Sequence, residues 1–155
     1  MVALAHLHYG STEETMRSDS NARCKGSPLT VIVAEKCPIS RAALAALLSC
    51  DGYRVFQAAD ARSAITHLEN VDEVKVVLAD LDMPEWRSIV RHATATTDAL
   101  LIGLVGNVPF WKVHDLEQEG IRLCLQKPLS YADVVAAMEE NIQPSGDEAH
   151  HRKAA

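Results

Sequence analysis

The sequence predicts an α/β fold in which a five-stranded parallel sheet is covered by helices on both faces. Between residues 28 and 142, five short apolar runs alternate with segments of helical periodicity. Three of these runs are almost continuously Val, Ile and Leu, as in strands that are buried on both faces. Strands that alternate with helices are joined by right-handed crossovers, and such strands are parallel.

Two strands and two helices are predicted in the first half of this segment. Residues 29–34 and 53–58 are apolar runs of strand length. Pro38 is well placed in the first turn of a helix that stops at Gly52, because the first helical amides have no partner to lose. Asp60 is a good N-cap for the second helix. We expect the first helix to present one broad apolar face made of Ile39, Ala42, Leu44, Leu47 and Leu48.

Three further strands and three helices are predicted in the second half. Near-continuous apolar sequence places strands at residues 75–79, 100–105 and 121–125. The fifth helix follows Ser130, where the sequence SYAD resembles a capping box with Asp in place of Glu. The third and fourth helices are predicted from Trp86 to His92 and from Pro109 to Gln118.

Residues 28–142 form the one predicted domain, flanked by a flexible N-terminal arm (1–27) and a flexible C-terminal tail (143–155). The two ends hold few large apolar side chains, so they cannot bury enough surface to offset the entropy of ordering. The whole chain has 155 residues, of which 48% are hydrophobic and 23% charged, the composition of one globular unit. From this length we expect no attached DNA-binding or catalytic domain.

Charge, hydropathy and cysteine spacing exclude several classes of protein. A net charge of −6 argues against a nucleic-acid-coating surface, which requires a basic stripe. No stretch reaches the roughly 18 apolar residues of a membrane span. The four cysteines contain no CxxC pair, so neither a zinc site nor a disulfide framework is indicated. A reducing, cytoplasmic compartment is therefore expected.

Acidic and basic residues follow several of the predicted strands. Glu35 and Lys36 come after the first strand, Asp80 and Asp82 after the third, and Lys127 after the fifth. Parallel strands end at one edge of the sheet, so these residues converge there. Two neighbouring carboxylates need a positive charge, which either Mg²⁺ or a lysine such as Lys36 can supply. Lys127 can also pair with a phosphoryl oxygen.

Residues 29–142 resemble the receiver domain of response regulators, the phosphoacceptor module of two-component signalling. The resemblance lies in three segments: VIVAEKCPISR (31–41), VVLADLDMP (76–84) and LQKP (125–128). It implies a flavodoxin-like doubly wound sheet with the strand order 2-1-3-4-5 and a cis peptide bond before Pro128.

The resemblance also implies roles for individual residues. Asp80 matches the phosphoacceptor, and Lys127 matches the lysine that contacts the phosphoryl group. Glu35, Asp80 and Asp82 match the positions that hold Mg²⁺. Asp82 would do so through its backbone carbonyl, so its carboxylate is expected to point elsewhere. The implied partners are a histidine kinase or histidine phosphotransfer protein and a downstream protein target, without nucleic acid or membrane.

Three positions depart from the receiver pattern. Lys36 stands where receivers have a second acidic residue, so weak or absent Mg²⁺ binding is expected. Val105 replaces a Ser or Thr whose hydroxyl hydrogen-bonds the phosphoryl group. Cys124 replaces an aromatic residue, usually Tyr or Phe, whose rotation reports the phosphorylated state in receivers. The spacing between Asp80 and Val105 is about one helical turn shorter than usual, which predicts a short third helix.

These matches and departures leave three functions open. The first, which is the function that we predict from the sequence, is a stand-alone receiver that is phosphorylated on Asp80 by a histidine kinase or phosphotransfer protein and signals through protein contact. The second is a degenerate receiver that binds proteins without phosphorylation. The third is a phosphatase, because DLD after an apolar strand also resembles the first motif of haloacid-dehalogenase-type enzymes. Such phosphatases need a second acidic motif after a later strand, which this sequence lacks. We therefore expect no enzyme activity beyond phosphorylation chemistry at Asp80 itself.

Overall fold

The computed structural model describes residues 27–106 and 115–142. The predicted tail, the predicted arm up to residue 26 and most of the predicted helix Pro109–Gln118 lie outside these residues. Residues 115–118 are helical and are named α4 here. The other elements are β1 (Thr30–Ala34), α1 (Pro38–Cys50), β2 (Arg54–Ala58), α2 (Ala61–Asn70), β3 (Val74–Asp80), α3 (Trp86–Thr96), β4 (Leu100–Val105), β5 (Leu123–Gln126) and α5 (Tyr131–Asn141).

The five described strands form one parallel sheet in the order β2-β1-β3-β4-β5. The central strand β3 pairs with β1 on one side and with β4 on the other. The predicted α/β class and strand order are therefore confirmed. All five carboxyl ends lie at one edge of the sheet, which from here on is called the carboxyl edge.

Helices cover both faces of the sheet. Along β1, Val31 and Val33 face one layer, while Ile32 and Ala34 face the other, as the two-residue period of a strand requires. One layer is built from α1 and α5, and the opposite layer from α2 and α3. The first layer buries Leu44, Leu48, Val134 and Met138, and the second buries Ala64, Leu68, Ile89 and Val90.

The buried face of α1 is narrower than the sequence predicted. Leu44, Ala45 and Leu48 are buried, whereas Ile39 is 80% exposed and Leu47 is 46% exposed. Ala42 is exposed as well. At 3.6 residues per turn, Ile39 lies on the side of the helix opposite Leu48, and Leu47 lies on its flank. The predicted face was therefore too broad.

The helix termini confirm one predicted cap and correct another. Asp60 Oδ1 accepts a hydrogen bond from Ser63 N (2.7 Å) and Ser63 Oγ accepts one from Asp60 N (3.3 Å), so α2 begins with a capping box. Ser130 makes no side-chain cap hydrogen bond at the start of α5. The predicted capping box in SYAD is therefore wrong.

Helix α3 is longer than predicted, since it continues from His92 to Thr96. Threonine has a low helix propensity, but Thr94 and Thr96 donate hydroxyl hydrogen bonds to carbonyls four residues earlier, at 2.7 and 2.8 Å. Ala93 is buried against the sheet. Packing of this last turn outweighs the weak local preference of the sequence.

Candidate functional site

Three charged side chains, located at or just after the ends of β1, β3 and β5, meet at the carboxyl edge. Lys127 Nζ lies 2.8 Å from Glu35 Oε2 and 2.9 Å from Asp80 Oδ1. The two carboxylates are almost completely buried, at 1% and 0% exposure, whereas the lysine side chain is 26% exposed. One ammonium group therefore bridges two buried carboxylates.

Backbone hydrogen bonds beyond the strand ends hold these residues in place. Glu35 N donates to Ala58 O (3.1 Å), and Lys127 N donates to Val105 O (2.8 Å). Each bond extends the parallel ladder by one residue past the strand. The side chains at the edge consequently start from backbone positions that are fixed by the sheet.

One oxygen of the Glu35 carboxylate accepts a hydrogen bond, and the other lies beside the ammonium group of Lys127. Its Oε1 accepts a hydrogen bond from Cys37 N (3.0 Å). Its Oε2 is buried and has no partner with hydrogen-bond geometry in the described structure, although Lys127 Nζ lies 2.8 Å away. The ammonium is therefore close but poorly aligned, and the contact is an ion pair more than a directed hydrogen bond.

Asp80 is the most strongly bonded acid of the site. Its Oδ1 accepts a hydrogen bond from Asp82 N (2.9 Å) besides contacting Lys127, and its Oδ2 accepts a long bond from Lys36 N (3.4 Å). Burial alone would raise the pKa of Asp80, but the hydrogen bonds from Lys127 and Asp82 outweigh burial and lower it.

The pKa of Lys127 shifts in the opposite direction for a matching reason. Burial alone would lower this pKa, but the contacts with Glu35 and Asp80 raise it. The ammonium is therefore charged at neutral pH, as is the Asp80 carboxylate. Their opposite charges compensate each other where water is largely excluded.

The side chain of Lys36 contacts a backbone carbonyl in the connection between β3 and α3. Its Nζ donates a hydrogen bond to Asp82 O at 3.3 Å. The guanidinium of Arg41 donates to Glu35 O (2.8 Å), which steadies the backbone just before Lys36. The ammonium of Lys36 thus contacts the carbonyl that the receiver resemblance assigns to Mg²⁺.

The oxygens of this site do not fit a Mg²⁺ ion in the described conformation. Mg²⁺ requires an octahedral set of oxygen ligands, but Lys127 occupies the space between Glu35 and Asp80, and Lys36 occupies the carbonyl of Asp82. Within residues 27–106 and 115–142, no group of three His, Cys, Asp or Glu side chains is arranged to hold a metal ion. The site's own lysines provide the positive charge.

The carboxylate of Asp82 binds a backbone amide just after β4. Its Oδ2 accepts a hydrogen bond from Gly106 N at 3.0 Å, so the expectation that this side chain is directed elsewhere agrees with the structure. Sequence reasoning did not find Gly106 as its partner. The only available signal was that a glycine directly follows the fourth strand.

Val105 and Cys124 occupy apolar surroundings near this edge. Val105 is buried in the layer formed with α2 and α3, where its side chain has no hydroxyl to offer a ligand. Cys124 is half-buried and packs against the same layer, and burial raises the pKa of its thiol.

Solved receiver structures share this fold. A response regulator receiver protein from Pseudomonas putida is 19% identical, with a TM-score of 0.67 over 74% of this chain and 98% of that chain. The receiver domain of a sensor histidine kinase from Pseudomonas aeruginosa PAO1, solved with magnesium in its active-site cleft, is 23% identical at a TM-score of 0.64 over 74% and 98%. A chain from the complex of CheY6 with the P1 domain of CheA3 from R. sphaeroides is 22% identical at a TM-score of 0.64 over 74% and 97%.

The protein therefore has the fold of response regulator receiver domains. No protein-family profile and no curated protein sequence matches the chain. Among the described residues, none of the helices has both the length and the apolar character needed to cross a bilayer.

Proposed function

We propose that this protein is a receiver-fold signalling module that binds other proteins without phosphorylation of Asp80 and without Mg²⁺. The observation that carries the proposal is the hydrogen bond from Lys36 Nζ to Asp82 O. Phosphoryl transfer to a carboxylate depends on positioning and on neutralisation of the transferred charge by a metal ion. Here a tethered ammonium occupies part of the space that the ion would need.

The environment of Asp80 also supports this proposal. The carboxylate is buried, and the ion pair with Lys127 would have to be rearranged before an incoming phosphoryl group could be attacked. Val105 provides no hydroxyl for the phosphoryl oxygens, and a hydrogen bond of that kind to a charged group contributes about 1.5–3 kcal/mol. Both the formation and the recognition of a phosphoaspartate would be weakened.

Phosphorylation on Asp80 is the second candidate, and one contact favours it. Asp80 Oδ2 accepts only a long bond of 3.4 Å from Lys36 N among the described contacts, so this oxygen is the better placed nucleophile. If Asp80 is phosphorylated, Lys127 contacts the phosphoryl group, and the donor is a histidine kinase or a histidine phosphotransfer protein.

Either candidate acts in the cytoplasm through a downstream protein. The net charge of −6 argues against nucleic acid as the target.

Intact-mass analysis separates the two candidates. The full chain is incubated with Mg²⁺ and a small phosphodonor such as acetyl phosphate, beside Asp80→Asn and beside a receiver known to be labelled under the same conditions. We expect no mass gain in the wild type while the reference receiver is labelled. A gain of one phosphoryl group that is absent from Asp80→Asn would overturn the proposal in favour of the second candidate. Steady release of inorganic phosphate from small esters would instead support the phosphatase alternative.

A further inference from the structure

Asp82 contacts three parts of the carboxyl edge at once. Its backbone N donates to Asp80 Oδ1 (2.9 Å), its backbone O accepts from Lys36 Nζ (3.3 Å), and its carboxylate Oδ2 accepts from Gly106 N (3.0 Å). These contacts connect the end of β3 to the β1–α1 connection and to the residue that follows β4. No other described residue is hydrogen-bonded in the same way to all three.

We propose that Asp82 is a positioning residue whose carboxylate acts as a built-in anion at the amide of Gly106 and fixes the end of β4. A carboxylate that accepts a backbone N–H makes a charge-assisted hydrogen bond, which is stronger than one between neutral groups. The inference goes beyond the proposed function, because this contact is present in the chain without any phosphoryl group on Asp80.

The space around Gly106 is consistent with this role. A Cβ atom added to Gly106 would lie 2.6 Å from Asp82 Oδ2. The backbone of Gly106 is outside the left-handed region, so its conformation is open to other residues. Gly52 differs, because it has φ of 89° and no atom within 4 Å of an added Cβ. The backbone conformation thus favours glycine at position 52, whereas at position 106 only the present position of the Asp82 carboxylate conflicts with a larger residue.

The Asp82 carboxylate is the end of a side chain that can rotate. An Ala side chain at position 106 would therefore displace the carboxylate and break the hydrogen bond, leaving the sheet intact. The cost of Gly106→Ala should then equal the loss of one exposed charge-assisted hydrogen bond. It should disappear when the carboxylate is already absent.

Hydrogen exchange at the Gly106 amide measures this bond directly. In Asp82→Ala we expect exchange of the Gly106 amide to be roughly 5- to 30-fold faster than in the wild type, because the opening cost falls by the contribution of one such bond. Asp82→Asn retains a carbonyl oxygen and should lie between the two. The Leu81 amide, which donates to Leu104 O at 2.9 Å, serves as the reference for an intact sheet. Unchanged exchange at Gly106 beside a protected Leu81 amide would overturn the proposal.

A double-mutant cycle tests the same contact through stability. Gly106→Ala should raise the unfolding equilibrium constant roughly fivefold or more in the wild type and leave it almost unchanged in the Asp82→Ala background. The control is Gly52→Ala, whose backbone penalty should be the same in both backgrounds. If Gly106→Ala changed the unfolding equilibrium constant equally in the wild type and in the Asp82→Ala background, the inference would be wrong. These readouts are independent of phosphoryl uptake, so the inference and the proposed function can fail separately.

Discussion

Lys36 places a positive charge where the β1–α1 and β3–α3 connections meet. Its ammonium contacts the Asp82 carbonyl, and its backbone amide contacts Asp80 Oδ2. A metal ion bound here would have to displace the ammonium and would then experience its repulsion. The Lys36 ammonium therefore occupies part of the space that a metal ion at the Asp82 carbonyl would need.

Replacing Lys36 by Asp should tighten Mg²⁺ binding at the carboxyl edge. The variant adds a carboxylate next to Glu35 and Asp80 and frees the carbonyl of Asp82, which yields the oxygen-rich set that Mg²⁺ prefers. We expect Mg²⁺ to bind at least about tenfold more tightly than to the wild type, or about 1.4 kcal/mol. Lys36→Ala, which removes the ammonium without adding a ligand, should give an intermediate affinity. Equal affinities of all three proteins in a calorimetric titration would show that Lys36 does not control the site.

The positions of the charged residues at this edge could be predicted from the sequence, but their pairing could not. The rule that parallel strands end at one edge is enough to group Glu35, Asp80 and Lys127. The choice between Mg²⁺ and Lys36 as the positive charge between the carboxylates remained open, and the structure places Lys127 there. That pairing depends on the strand register and on the rotamer of a long side chain, neither of which is encoded by local spacing.

At the scale of elements, α1 shows why strands were easier to predict than helix faces. Strands buried on both sides are apolar at nearly every position, so small errors of phase do not matter. Helix α1 contains apolar residues around most of its circumference, so periodicity alone cannot select the buried stripe. The actual stripe is set by how α1 crosses β1 and β2, which is a property of the assembled sheet.

The adjacent leucines Leu47 and Leu48 provide a matched test of this stripe. Leu48 is fully buried between α1 and the sheet, whereas Leu47 is 46% exposed. We expect Leu48→Ala to lower the free energy of unfolding by about 2–5 kcal/mol, because it leaves a cavity in the core. Leu47→Ala should cost less than about 1 kcal/mol. Urea denaturation of both variants checks the assignment, and similar losses would place the buried face of α1 elsewhere.

At the scale of the whole molecule, the ion pairs of Lys127 join β5 to β1 and β3 and make stability depend on pH. The pKa of Asp80 is lowered from its ordinary 3.8, so its contribution is present above that value and is lost as pH falls through the folded pKa. The pKa of Lys127 is raised from 10.5, so its contribution is present below that value and is lost as pH rises through the folded pKa. Between these limits Asp80 and Lys127 are both charged.

Lys127→Met should reverse the pH dependence that Asp80 contributes. Without the ammonium, burial dominates and raises the pKa of Asp80, so keeping this carboxylate ionised at neutral pH becomes costly. We expect the variant to lose about 2–4 kcal/mol near pH 7, somewhat less than for a completely buried pair because the lysine is 26% exposed. The deficit should shrink as pH falls, first because Asp80 in the variant becomes protonated at its raised pKa, and then, below about pH 4, because the wild type loses the contribution of its ionised Asp80. Lys127→Arg keeps the charge and should retain most of the pH dependence. Urea unfolding from pH 3 to 9 tests this: a deficit that stays constant across the range would mean that the lysine stabilises the protein by packing rather than by charge.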